Sequence, residues 1–154
     1  MVDRYKDRLK ILEDQEIEEL YGRPQFNHDE RVHFFSLSSE ERALADAHYN
    51  LANRVLFILQ LGYFKARTLF FSFELDEVQE DARHVLQRHY HRSDDAALIA
   101  PSLKQTRHGQ QRKILDLYGY RACSGKERAA LMEKADQVVR ISAKPVFLFR
   151  NLLQ

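Results

Sequence analysis

The 154-residue sequence has five glycines, three prolines, one cysteine and no tryptophan. So few turn residues argue against an all-β architecture, which needs a turn signal about every 8–12 positions. A helical chain is what remains. A lone Cys123 has no internal disulfide partner, and residues 1–10 lack the apolar core of a signal peptide; a cytoplasmic protein is expected. No purely apolar stretch is longer than the five residues of Val55–Leu59, far short of the roughly 20 residues of a membrane-spanning helix. Glycine-rich phosphate loops are missing, and so is an excess of one charge: 24 Lys and Arg face 23 Asp and Glu, a net of +1. That balance at first argues against a protein that coats nucleic acid. With 44% hydrophobic residues, there is apolar material for one ordinary domain or two small lobes.

The charge is unevenly distributed. Residues 1–50 carry a net of −5, residues 51–95 a net of −1 and residues 96–154 a net of +7. Such asymmetry hints at an anionic partner for the C-terminal third.

After a charged arm, a helix is expected over Asp14–Tyr21, stopped at Gly22, with Arg23-Pro24 breaking the chain. Asn27 with Glu30, Ser38 with Glu41 and Ser124 with Glu127 have the spacing of capping boxes. Leu44, His48, Leu51, Val55, Ile58 and Leu59 recur at helical spacing, predicting one central core helix that Gly62 ends. The Phe-rich stretch Tyr63–Phe73 reads as an aromatic connector. A helix over about Asp76–His91 turns Val78, Ala82, Val85 and Leu86 inward. Another is expected from Lys104 to Tyr118, closed by Gly119; its first ten residues hold no large apolar side chain, so its N-terminal end should project from an anchored C-terminal end. The helix opened by Ser124 should reach about Ile141 and bury Leu131, Ala135, Val138 and Val139. Pro145 suits the first turn of a last helix, which reaches Gln154 without a cap, as if inside a longer polypeptide. The expected fold is all-α, about seven helices in two small helix-turn-helix-like lobes: 12–91 and 102–154, joined by a linker at about 92–101.

The helix carrying Lys104, Arg107, His108, Gln111, Arg112 and Lys113, followed by a turn and a second helix, has the layout of a helix-turn-helix reader. Basic groups neutralise phosphates, and Arg or Gln can read base edges in the major groove. A solvated basic face is the plainer explanation, but such faces mix both signs to gain i,i+4 pairs, whereas no acid occurs from Ala96 to Leu115. Arg121, Lys126 and Arg128, at or beyond the turn, make the following helix an equal candidate for the groove. His84, His89 and His91 lack the i,i+4 spacing that sets two imidazoles on one metal, so His89 and His48 read as core-edge residues. Cys123 has no motif-like partner, and no catalytic constellation, cofactor or metal site is expected.

Leu20-Tyr21-Gly22, Asn53-Arg54 followed by Phe57-Ile58-Leu59-Gln60-Leu61-Gly62, Ile114 to Arg121, and Lys144-Pro145 with Leu148 occur together in this order. Through them the chain, from about Leu12 to Leu153, resembles the N-terminal region of the large transposases of the Tn-three family of bacterial replicative transposons. The Asn-Arg plus Gln-Leu-Gly block and the Gly-Tyr-Arg block are the specific parts. The resemblance implies a helical domain that binds the double-stranded DNA of the terminal inverted repeats. It also implies a DDE-type parent whose acidic metal-binding triad lies elsewhere, so that this chain is not itself an enzyme. It places the basic stretch ahead of Ile114 and Arg121 in the DNA-contacting region and gives Arg54 either a structural role or a contact with DNA. Lys65 and Arg67 are further candidate contacts. Family members often carry a more arginine-rich stretch where this chain has Gln105, Gln110 and Gln111.

The expectation is therefore binding without chemistry: Lys104, Lys113, Lys126 and Arg128 on phosphates, and Arg107, His108, Gln111 and Arg112 at base edges. The protein would be nucleoid-associated when bound and would engage no membrane. The competing expectation is a protein-interaction module, in which the acidic first lobe and the Phe64–Phe73 segment assemble transposase subunits.

Overall fold

A computed structural model describes residues 11–93 and 104–152. The charged arm, most of the expected linker and the last two residues lie outside the described residues. No strand occurs among the described residues. The order is α1 (Asp14–Tyr21), α2 (His28–Phe34), α3 (Ser39–Asp46), α4 (Leu51–Arg67), a 3-10 turn (Leu75–Val78), α5 (Gln79–Tyr90), α6 (Lys104–Leu117), α7 (Gly125–Ile141) and α8 (Pro145–Leu152). This is the all-α fold expected. None of the described helices is long and apolar enough to cross a membrane.

The capping boxes form as their spacing predicts. The Glu30 amide donates to Asn27 Oδ1 (2.9 Å) while the Asn27 amide donates to Glu30 Oε2 (2.8 Å), and Ser38 with Glu41 and Ser124 with Glu127 repeat the exchange. Each box satisfies amides that the first helical turn leaves without partners.

Two boundaries differ from the sequence expectation. The periodicity from Leu44 to Leu61 is not one helix: α3 ends at Asp46, and Asn50 starts α4 by accepting from the Asn53 amide at 2.7 Å. An Asn side chain that satisfies a first-turn amide favours a new start over continuation. Nor does Gly62 end α4, which runs to Arg67 and stops where Thr68 turns left-handed (φ 56°). The missing side chain at Gly62 serves close packing instead, because a Cβ there would lie 2.4 Å from the Phe35 ring. Of the expected connector, only residues 68–73 lack helical structure.

Helix α4 is the centre of the core. Every residue from Val55 to Phe64 is buried, and α2, α3, α5 and α6 pack around it. Two buried acids tie these layers together. Asp81 accepts from Tyr63 Oη (2.6 Å) and from Arg31 Nε (2.7 Å). Glu41 accepts from Lys65 Nζ (2.8 Å) and Tyr118 Oη (2.7 Å); burial opposes its ionisation, but these donors and the Ser38 backbone outweigh it and hold its pKa below the ordinary value.

The chain divides into two compact units. Tyr21–Tyr120 forms one; α1 up to Leu20, α7 and α8 belong to the other. Helix α6, expected in the second lobe, is thus part of the unit built on α4, and its polar inward face is the reason. Taken over Tyr21–Tyr120, the sequence has thirteen basic and thirteen acidic residues, so the polarity along the chain does not become a polarity between units. In the second unit, Arg150 of α8 pairs with Glu16 of α1. The four α7 positions expected inside are not all buried. Val138 is buried and Ala135 half-buried, whereas Leu131 and Val139 stay 47% and 45% exposed. At about 1.5 Å per residue, α8 spans less than half the length of α7, too short to cover its whole apolar stripe.

Candidate nucleic-acid interface

Helix α6 has two faces with different partners. Inward, Gln110 and Ile114 are fully buried. Gln60 lies in the apolar stretch of α4, and its Nε2 donates to Gln110 Oε1 (2.6 Å). Gln110 Nε2 donates to the Asn53 carbonyl (2.8 Å), and Gln111 Nε2 to Gln60 Oε1 (3.1 Å). This amide ladder lets a helix half without large apolar side chains pack on the core, since buried polar groups are tolerated when they satisfy one another. It corrects the expectation that the N-terminal end of α6 projects.

Arg107 also belongs to the inward side. Its side chain is 12% exposed, pairs with Glu74 Oε2 at 3.0 Å and lies over the Phe73 ring, 5.4 Å from the centroid. Arg107 and Gln111, candidate base readers from sequence, are held by partners within the fold.

The C-terminal end of α6 is locked separately. Gly119 takes a left-handed conformation (φ 71°). Its amide donates to the Asp116 carbonyl (3.1 Å), and that of Tyr120 to the Leu115 carbonyl (2.8 Å), the paired bonds of a Schellman motif. Tyr118 and Tyr120 then flank Phe64 of α4, with centroids at 5.7 and 5.4 Å.

Outward, Lys104, His108 and Arg112 follow one another at i, i+4 and i+8, all exposed, with exposed Lys113 beside them. Among the described residues none of the four has an ion-pair partner. Lys113 lies close to the α3–α4 turn, where burial first, then the charges of Lys113 and Arg54, push the His48 pKa down. The His48 Nε2 is buried without a hydrogen bond among the described residues.

The remaining candidates separate in the same way. Arg54 Nε donates to the His48 carbonyl (2.8 Å), closing the α3–α4 turn. Lys65 is held by Glu41 and by the Ser36 carbonyl (2.7 Å). Arg67 is exposed in the last turn of α4. In the other unit, Arg121 is exposed and meets Glu127 at 3.3 Å, while Lys126 and Arg128 are exposed in the first turn of α7. His89 Nε2 lies 2.7 Å from the Phe35 carbonyl, which can only accept, so that nitrogen carries the proton. No group of three potential metal ligands occurs among the described residues. Cys123 is exposed.

The ladder was missed in sequence although two signals for it existed. Gln60 interrupts an apolar run, so it needs a buried partner, and Gln110, Ile114 and Leu117 share one helical face at i, i+4 and i+7.

A family model described as "Domain of unknown function (DUF4158)" matches residues 11–154. The chain belongs to that family. No curated protein and no solved structure matches it.

Proposed function

We propose, from membership of a family whose description assigns no role, that this chain binds double-stranded DNA through the outward face of α6. In this reading it is the N-terminal recognition part of a Tn-three-type transposase and binds the terminal inverted repeats. The observation that carries the reading is the row Lys104, His108, Arg112 with Lys113: four exposed basic side chains on a helix whose opposite face is fixed to the core. Lys104 and Lys113 neutralise phosphates, and His108 and Arg112 reach base edges. Arg121, Lys126 and Arg128 add phosphate contacts from the other unit. The chain makes and breaks no bond; strand cleavage and transfer belong to the parent's acidic-triad domain.

The test is a titration of a terminal-repeat duplex and a scrambled duplex at several salt concentrations. Binding should weaken linearly on a log–log salt plot, and each phosphate contact removed by Lys104→Ala or Lys113→Ala should lower the slope by about 0.9. Arg112→Ala should reduce the preference for the repeat. Equal affinity for both duplexes would remove sequence recognition. The alternative of subunit assembly through Phe64–Phe73 draws no support from that segment, because Phe64 and Phe73 are buried in the core of their own unit and Phe70 and Phe71 pack against it.

A further inference from the structure

Beside the outward face of α6 lies a cleft of about 420 Å³, walled on one side by Phe70, Phe71 and Ser72 of the connector and on the other by Lys104 and His108. Phe70 lays one face on Phe64 (5.0 Å, 21°) and Phe71 meets Tyr63 edge-on (6.1 Å, 87°). Both rings are only half-buried, so part of each borders the opening. The one acid in the wall, Glu74, is paired with Arg107, so its charge is balanced. Lys104 and His108 are exposed at the rim with no acidic partner among the described residues. Aromatic surface below and cationic or hydrogen-bonding groups at the rim match a flat ring tethered to an anion. The volume falls within the roughly 300–1,000 Å³ of small-molecule sites.

We propose that this cleft receives a single unpaired nucleotide, its base against Phe70 and Phe71 with His108 at the base edge, and its phosphate on Lys104. The inference rests on the DNA-binding reading and refines it: the same helix face would grip duplex backbone and detect a base out of the stack. A paired base cannot enter, and the cost of unstacking is least for an overhanging or mismatched nucleotide. The cleft would thus favour DNA ends and distorted sites over uninterrupted duplex.

The test uses the full chain and three labelled probes: a blunt duplex, the same duplex with one unpaired thymidine, and oligo(dT). Stacking of one base on an aromatic side chain corresponds to about tenfold in affinity, so the unpaired-thymidine duplex should bind about tenfold tighter than the blunt one. Phe70→Leu, which keeps apolar bulk, and Ser72→Leu, which fills the cleft without removing packing, should both abolish that gain and leave blunt-duplex affinity unchanged. Equal binding of the two duplexes by the unmodified chain, or a gain that survives Ser72→Leu, would overturn the cleft proposal while duplex binding stood. Loss of blunt-duplex binding with oligo(dT) binding that Ser72→Leu abolishes would overturn the duplex reading and uphold the cleft. Failure to bind any probe would overturn both.

Discussion

Helices α4 and α7 are each 17 residues long, yet eleven residues of α4 are buried and only Val138 of α7 is. Both carry apolar residues at helical spacing. The difference lies in what surrounds them: four helices pack on α4, whereas α7 has its main neighbour in α8, eight residues long. Periodicity therefore identifies a helix and its apolar side, but burial depends on whether the rest of the chain supplies a cover. Structure in Tyr21–Tyr120 should be the more resistant to unfolding.

The largest expected effect tests that contrast directly. Phe57→Ala empties a fully buried site on α4 and should cost about 3–5 kcal/mol in urea unfolding followed by circular dichroism. A loss no larger than that of Leu131→Ala would break the comparison. Next comes Gln110→Leu, which strands the buried Gln60 amide donor and should cost about 1–3 kcal/mol. The double change Gln60→Leu with Gln110→Leu should recover most of that loss, because both partners then become apolar. If the double variant is as unstable as the single, the ladder is not the connection described.

A smaller effect is expected from pH. Burial is the largest cause in each case and lowers the pKa values of His48, His84 and His89 below 6.5. Their contribution to stability is complete above that value. It is lost progressively as the pH falls below 6.5 toward the folded values, because the unfolded chain takes up protons first. Glu41, with its lowered pKa, adds a further loss below its ordinary value of 4.5. All four groups lie within Tyr21–Tyr120, so the protection of α4 amides, measured against their intrinsic exchange rate at each pH, should fall from pH 6.5 downward more than the protection of α7 amides. An equal fall in both would contradict the division. The smallest effect is Leu131→Ala itself, about 1 kcal/mol or less, since the side chain is already half exposed.

Fold class, helix ends and caps were largely legible because each rests on a local pattern: Asn27 with Glu30, Gly119 after Tyr118, Pro145 at the start of α8. The break at Asn50 was not, because the surrounding apolar spacing continues through it. Gly62 was misread because a helix-ending glycine and a close-packing glycine look alike until Phe35 is placed against it. For the candidate site, charge and exposure were read as one property. Lys104, His108 and Arg112 do face outward, but Arg107 and Gln111 face partners 33 and 51 positions earlier in the chain, Glu74 and Gln60. No spacing within α6 reveals contacts so distant in sequence.

The amide ladder has one more consequence. Apolar side chains let helices slide against each other by fractions of a turn, but three linked amides accept only one alignment. The inward residues of α6 thus fix where its outward residues stand, and Lys104, His108 and Arg112 are exposed and take no part in the ladder. Positions 104, 105, 108, 109 and 112 form a face that can be rewritten for a new target while the scaffold beneath it stays the same.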